Sequence, residues 1–438
     1  LLATSHTAVA GNQDSFALGN EAALTGGAVT AIAGDTGAAW YNPAGLASLT
    51  RNTVDVSASA FVLRERSIPD ALETKLPFAE LSQDLSSLDI LSVPSALVFV
   101  RQLGDGVTGA FGIFVPVQDQ FSVSVTESIQ TEGRSGDEDG LFEQSFDLDI
   151  ARSRYQAGPS VGFAVTDTLR LGISAFGVYE ARDRESSFWS AGAAQSGRRT
   201  FMLGQRSEDA QIVGGQLVAG LQWEFADSVH AGLTVRSPIW AFGAWGGTEV
   251  LGTRSMRAPS GETDVQVTRA NDRLANNTFD VVAPARAHLG LAVELGGGWV
   301  TVEGDYALSA AESPLARRAN EVWNARVGAL FPLGADTNLG LGLFTDRSAA
   351  PAPKQAGDAR VDFYGVATGL ELRTPYVIKG AESPLVFATT IGARYGLGLG
   401  EAGGLHFEPL ASRGPVSDLT VDVVFHEVSV HLGSALYF

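Results

Sequence analysis

The feature that most constrains this chain is a rhythm of runs and connections. From Asn52 onward apolar and polar residues alternate, as in Val54, Val56, Ala58, Ala60 and Val62 against Asp55, Ser57 and Ser59. Period two is the mark of a strand with one oily and one polar face. Fourteen such runs follow, near 52–64, 92–102, 107–118, 150–166, 169–182, 209–225, 229–240, 279–295, 298–308, 321–333, 337–346, 360–374, 385–398 and 422–438. Connections after the even runs are short: GDG, TDT, ADS, GGG and GADT, with PYVIKGAESP a little longer. Those after the odd runs are long and polar, around 65–91, 119–149, 183–208 and 241–278. A soluble sandwich has no reason to gather every long loop at one end. A closed barrel crossing an outer membrane does.

The faces agree. In the eighth run Ala285, Ala287, Leu289, Leu291, Val293 and Leu295 oppose Arg286, His288, Gly290, Ala292 and Glu294. A hairpin about GGG sets Arg286 roughly opposite Ala307 and His288 opposite Asp305, on the polar face. Phe387, Ile391, Ala393, Tyr395 and Leu397 form the oily face of the thirteenth run, and Val428, Val430, Leu432, Leu436 and Phe438 that of the last. Charge-free outside and ion-pairing inside means lipid outside and a lumen within. No apolar run is long enough for a transmembrane helix. A net charge of −19 argues against nucleic acid, and the absence of cysteine excludes disulfides and thiol chemistry. The chain begins LLATSHTAVAG rather than with Met, which suggests processing or truncation.

Ala22–Leu49, ALTGGAVTAIAGDTGAAWYNPAGLASL, is built differently. Its small residues let backbone approach backbone but bury too little side chain to fold alone. Pro43 fixes its own φ and pushes Asn42 out of the α region. The stretch reads as a plug to be enclosed by the barrel.

Four stretches resemble the FadL-type family of outer-membrane transporters of long-chain fatty acids and hydrocarbons. GNEAALTGGAVTAIAGDTGAAWYNPAGLASL (19–49) is similar to that family's N-terminal hatch, with Gly34, Asp35 and the Asn42-Pro43-Ala44 motif. FGIFVPV (111–117) is similar to its third strand, and GLTVRSP (232–238) and PARAHLGLAVELGGGWVTVEGDYALS (284–309) to its seventh strand and eighth-to-ninth hairpin. The resemblance implies an all-β membrane protein: a 14-stranded antiparallel barrel over 51–438 with a hatch, 1–50, inside its lumen. It implies a bacterial outer-membrane location with both termini periplasmic. It also implies passive transport of hydrophobic small molecules, among lipid and lipopolysaccharide, through external loops and the barrel interior to a lateral opening at the third strand.

Residues in that third run offer a physical reason for an opening. Gly109, Gly112 and Pro116 interrupt it beside Phe114, and Pro116 cannot donate to a ladder in a barrel that has no edge to hide it. Leu72, Leu76, Leu81, Leu85 and Leu88 in the first long loop have helix-like spacing and predict an amphipathic cap over the mouth. Acidic Asp137, Glu138 and Asp139 could take Ca²⁺, although no dedicated calcium-loop spacing is present; no other cofactor or metal site is expected. Inward arginines Arg154, Arg170, Arg236, Arg286, Arg326 and Arg394 face Glu180, Glu224, Glu294, Glu303, Asp305, Glu371 and Glu427. Either one of them, such as Arg236, meets a substrate carboxylate, or they pair across the lumen and clamp the plug. No nucleophile elbow, phosphate loop or triad occurs, so no enzyme is expected. The alternative function is a structural or adaptor barrel whose external loops dock a secretion or surface protein.

Overall fold

The computed structural model describes residues 17–76, 79–131, 140–194, 197–274, 279–377, 384–408 and 416–438. Its strands are β1 (Thr53–Leu76), β2 (Ala79–Gly104), β3 (Val107–Thr131), β4 (Gly140–Ala164), β5 (Leu169–Ala194), β6 (Arg199–Ala226), β7 (Val229–Arg236), β8 (Ile239–Arg257) and β9 (Thr263–Arg273). They continue with β10 (Val281–Ala283), β11 (Arg286–Leu295), β12 (Gly298–Ala307), β13 (Val322–Pro332), β14 (Thr337–Asp346), β15 (Ala359–Tyr376), β16 (Leu385–Phe407) and β17 (Val416–Tyr437).

Each strand pairs antiparallel with its neighbour from β1 to β7. β7 then pairs with β11, the sequence resumes to β17, and β17 pairs with β1 (Thr53 with Tyr437). The wall is a closed all-β barrel. β8 and β10 prolong β7 and β11 past interruptions at Ser237-Pro238 and Pro284-Ala285, and β9 extends beyond the wall on β8 alone. Among the described residues helix is confined to α1 (Asn20–Thr25), α2 (Ala38–Tyr41) and a 3₁₀ turn, Pro43–Ser48.

Alternation does what it should. Leu289, Leu291, Leu343, Ile391, Leu432 and Phe387 are exposed on the outer face, while Arg286, His288, Glu303, Asp305, Arg326 and His431 are buried on the inner one. Arg286 faces Ala307 and His288 faces Asp305 across the β11–β12 hairpin. An outer face of uncharged aliphatic and aromatic side chains is stable against hydrocarbon and costly against water.

The long connections differ from expectation. Residues 65–91 are not a helical cap: β1 and β2 stay paired to Leu76–Ala79 at the hairpin tip. Pro77 falls inside the Leu72–Leu88 repeat, where it would interrupt a helix, and a ladder already zipped in the wall extends more cheaply than a new helix nucleates. Asp70, at φ 50°, kinks the hairpin, and Leu72–Thr74 then pair in parallel with Leu405–Phe407 of β16. The strand arms carry Leu72, Leu85, Phe121, Phe146, Leu148, Val361, Phe407 and Phe425 into one apolar core at the long-hairpin end. The other long connections are also largely strand, in β3–β4, β5–β6 and β8–β9. Asp137, Glu138 and Asp139 lie outside the described residues.

Candidate functional site

Two features meet inside the barrel: the N-terminal segment 17–50 and a break in the wall. The segment is buried along most of its length, with Ala28, Ala38, Ala39, Ala44, Leu46 and Asn42 almost wholly inaccessible. It reaches the wall because the wall has glycine where it touches. A Cβ on Gly220 would lie 2.0 Å from Asn42 Oδ1, and one on Gly433 would lie 1.8 Å from Asn20 Oδ1. Gly172, Gly232, Gly340 and Gly342 are met by the backbone or side chains of Pro43, Thr30, Leu24 and Thr25 in the same way. Strand glycine here serves close approach, at some cost in strand propensity.

Asn42 anchors the segment. Its backbone is extended (φ −153°, ψ 99°), as a residue before proline must be, and Pro43 opens the 3₁₀ turn. Its Oδ1 caps that turn by accepting from Ala44 N at 3.2 Å. Its Nδ2 donates to Thr30 O at 2.8 Å and to Leu221 O of β6 at 2.9 Å, tying plug to plug and plug to wall. Asp35 folds the start of the segment, accepting from Asn20 N, Glu21 N and Gly37 N at 3.1, 3.0 and 2.9 Å. Gly34 N donates to Glu21 Oε2 at 3.1 Å. Burial pushes the Asp35 carboxyl up despite those three donors. Glu21, buried beside Asp35, is held well above the usual carboxylate range.

The lumen charges clamp the segment on the β11–β14 side. Glu303 accepts from Thr30 N at 2.9 Å and contacts His288 Nδ1 and Arg326 Nη1, both at 3.2 Å. Arg326 reaches Asp305 at 3.0 Å, and Arg286 approaches Asp305 at 3.8 Å. Arg236 lies 4.3 Å over the Trp40 ring and donates to Trp40 O. Arg394 lies 3.9 Å over Phe344. Thus Arg236, Arg286, Arg326, Glu303 and Asp305 converge on the segment or on one another, and Arg394 lines the same cavity from over the Phe344 ring.

The wall breaks at β3. β2 and β3 pair regularly from Gln102–Thr108 to Ala96–Phe114, and among the described residues their ladder ends there, although both strands run on. β4 stays with β3, but its register shifts between Phe114 and Val117, so β3 carries one extra residue. That is a bulge at Val115-Pro116. Phe114 to Val117 are all buried, so β3 bends inward instead of keeping one face to lipid. Gly109 and Gly112 do not make the bend: they sit in the regular ladder opposite Arg101 and Val98. Gly112 instead leaves room for the Phe114 ring, which a Cβ would meet at 2.4 Å.

Sequence reasoning left out what joins the two features. Trp40 packs on Phe114 (centroids 5.2 Å apart) and on Phe176 (5.8 Å), so the segment's only tryptophan among the described residues sits against the last paired residue of the broken ladder. Trp40, set beside Tyr41 in a stretch otherwise mostly of small residues, was the available signal. Above this cluster an inner cavity is lined by Trp40, Pro116, Arg154, Arg236, Phe344 and Arg394. A second, toward the long hairpins, is lined by Arg64, Asp119, Phe121, Phe425, Phe344 and Arg394. Phe344, Asp346 and Arg394 belong to both linings and stand between them.

No family model matches the chain, and no curated protein matches it. Solved structures do. A Pseudomonas aeruginosa FadL homologue superposes with TM-score 0.60 over 95% of this chain and 97% of its own, at 11% identity. This chain has the FadL-type barrel fold. The Ralstonia pickettii toluene transporter TbuX matches with TM-score 0.52 over 98% and 99% at 13% identity. The Pseudomonas putida toluene transporter TodX matches with TM-score 0.51 over 92% and 94% at 15%. Matches that span both chains nearly end to end make the FadL-type likeness one of the whole fold.

Proposed function

We infer that the chain passively transports hydrophobic small molecules across a bacterial outer membrane, taking them in at the long-hairpin end and releasing them sideways into the bilayer. The observation that carries this is the end of the β2–β3 ladder at Phe114, beside a cavity lined by Pro116 and the internal segment. A solute in that cavity reaches lipid without crossing the short-turn end, which the segment occupies. The long-hairpin core and the outer cavity suit capture of an apolar molecule. Counting β7 with β8 and β10 with β11 as single interrupted strands, and β9 as loop, gives the 14-stranded barrel of the family; residues 1–50 are then its hatch and 51–438 its wall. Both termini fall on the periplasmic side, with the long hairpins among lipopolysaccharide. The lumen arginines serve the hatch rather than catalysis, and no enzymatic role is assigned.

The test is deletion of Pro116, which removes the extra residue and restores one register between β3 and β4. Purified protein in vesicles should take up labelled toluene or a long-chain fatty acid, and the deletion should abolish uptake while the barrel stays folded. Unchanged uptake would exclude a lateral exit. No uptake by the intact protein would favour the adaptor role.

A further inference from the structure

Once β3 has left β2, one edge of β3 has lost the strand that would satisfy it, and its backbone acceptors take other partners. The carbonyls of Gln118 and Gln120 are two residues apart, hence on one edge and spaced by about 7 Å. Two arginines of β1 with the same spacing meet them. Arg64 Nη1 donates to Gln118 O at 3.0 Å, and Arg66 Nη1 to Gln120 O at 3.1 Å. Both bind the Asp119 carboxylate between those carbonyls, Arg64 at 2.9 Å. Arg64 Nε donates to Glu427 Oε2 of β17 at 2.6 Å, which fixes the guanidinium to intact wall. Val62, Leu91 and Val115 from the three strands pack together beside it. An ion pair alone would need only Asp119. Repeated donation to alternate backbone carbonyls is what a neighbouring strand does.

We propose that Arg64 and Arg66 are positioning residues that stand in for the missing β2 ladder and hold β3 bent inward, keeping the wall open. This rests on the lateral-exit reading above. Arginine suits the task because one rigid fork can serve a carbonyl and a carboxylate together. Without it, the orphaned carbonyls of β3 are most simply satisfied by return to β2. Continuing the Ala96–Phe114 register would then set Leu88 opposite Ser122, two positions now exposed.

The chain has no cysteine, so that return can be trapped cleanly. A Leu88→Cys, Ser122→Cys pair forms a disulfide only if the Cα atoms come within about 7 Å. With both arginines in place, oxidation should give little cross-link and uptake should persist. With Arg64→Gln and Arg66→Gln added, cross-link yield should rise severalfold and uptake should fall. Lysine at both positions, which keeps charge without the fork, should give an intermediate yield, and Glu65→Gln on the opposite face should change nothing. A low yield in the glutamine variant, with the barrel folded by heat-modifiable mobility, would overturn the latch and leave the exit to the Pro116 deletion. A high yield with the native arginines would overturn both. If the glutamine pair fails to fold, the lysine pair carries the comparison, and an unchanged yield overturns the latch.

Discussion

The barrel wall at β11–β14 and the wall at β1–β3 are built from the same materials to opposite ends. Both carry buried arginines and carboxylates on their inner faces. Across β11, β12 and β13 the ladders are unbroken, so the backbone is satisfied and the charges are spare to grip the internal segment, as Glu303 does through Thr30 N. At β1–β3 the ladder stops at Phe114, and Arg64 and Arg66 bond the backbone itself. On the reading proposed above, lumen charge has two distinct duties, holding the internal segment where the ladders continue and propping β3 where its ladder with β2 ends. Trp40 spans the two, with Arg236 over one face and Phe114 beside it.

Unseating the internal segment should have the largest effect. Gly220→Leu puts side-chain atoms where Asn42 sits, and the segment cannot seat; limited proteolysis should then cut within 17–50 while the barrel survives. Next comes Trp40→Ala, which removes the aromatic joining segment to break. Losses of about 3–5 kcal/mol are typical for such buried deletions, and the readout is protease protection of the segment together with uptake. Glu303→Gln is milder: it weakens the contacts to Thr30, His288 and Arg326 by about 1–3 kcal/mol in total, lowering protection of the segment without changing β2–β3 separation. Equal effects on both readouts would erase the distinction between the two walls.

The smallest effect is a pH dependence of seating. Glu21 and Asp35 are raised by burial, so the seated segment binds protons more readily than the unseated one. Seating should strengthen as pH falls from above those raised values toward the ordinary carboxylate range, and level off below it. Glu371 raises both groups further and Arg373 opposes it at Glu21, so Glu21→Gln should flatten the profile. A profile of the reverse slope would contradict the assignment.

How much of this was legible differs by region for physical reasons. The wall was, because period two survives in sequence: Leu289, Leu291 and Val293 point out and His288 and Glu303 point in, as alternation requires. That Ala22–Leu49 packs backbone close to backbone was legible from its small residues, but where it packs was not. Half of each contact is a wall glycine, such as Gly220 or Gly433, and in sequence a strand glycine looks only like a weak point. Pro116 was legible as a break, whereas Gly109 and Gly112 drew attention to a segment that is regular. Leu72 and Leu85 suggested a helix because leucines spaced by three and four also alternate adequately once Pro69 and a kink at Asp70 shift the register. Arg64 and Arg66 were hidden because they were assigned to the end of a run and the start of a loop. Their role exists only when β3 arrives from a distant part of the chain.

The central claim is that β3 stands away from β2 beyond Phe114. Spin labels at Ile90 and Gln120, positions that a continued ladder would set opposite one another, test it directly by pulsed electron paramagnetic resonance. A paired ladder holds opposite Cα atoms about 5 Å apart. The account predicts a distance distribution displaced outward from that of a control pair at Phe99 and Phe111, which are paired, by at least one strand spacing of about 4.8 Å. Coincident distributions would contradict it.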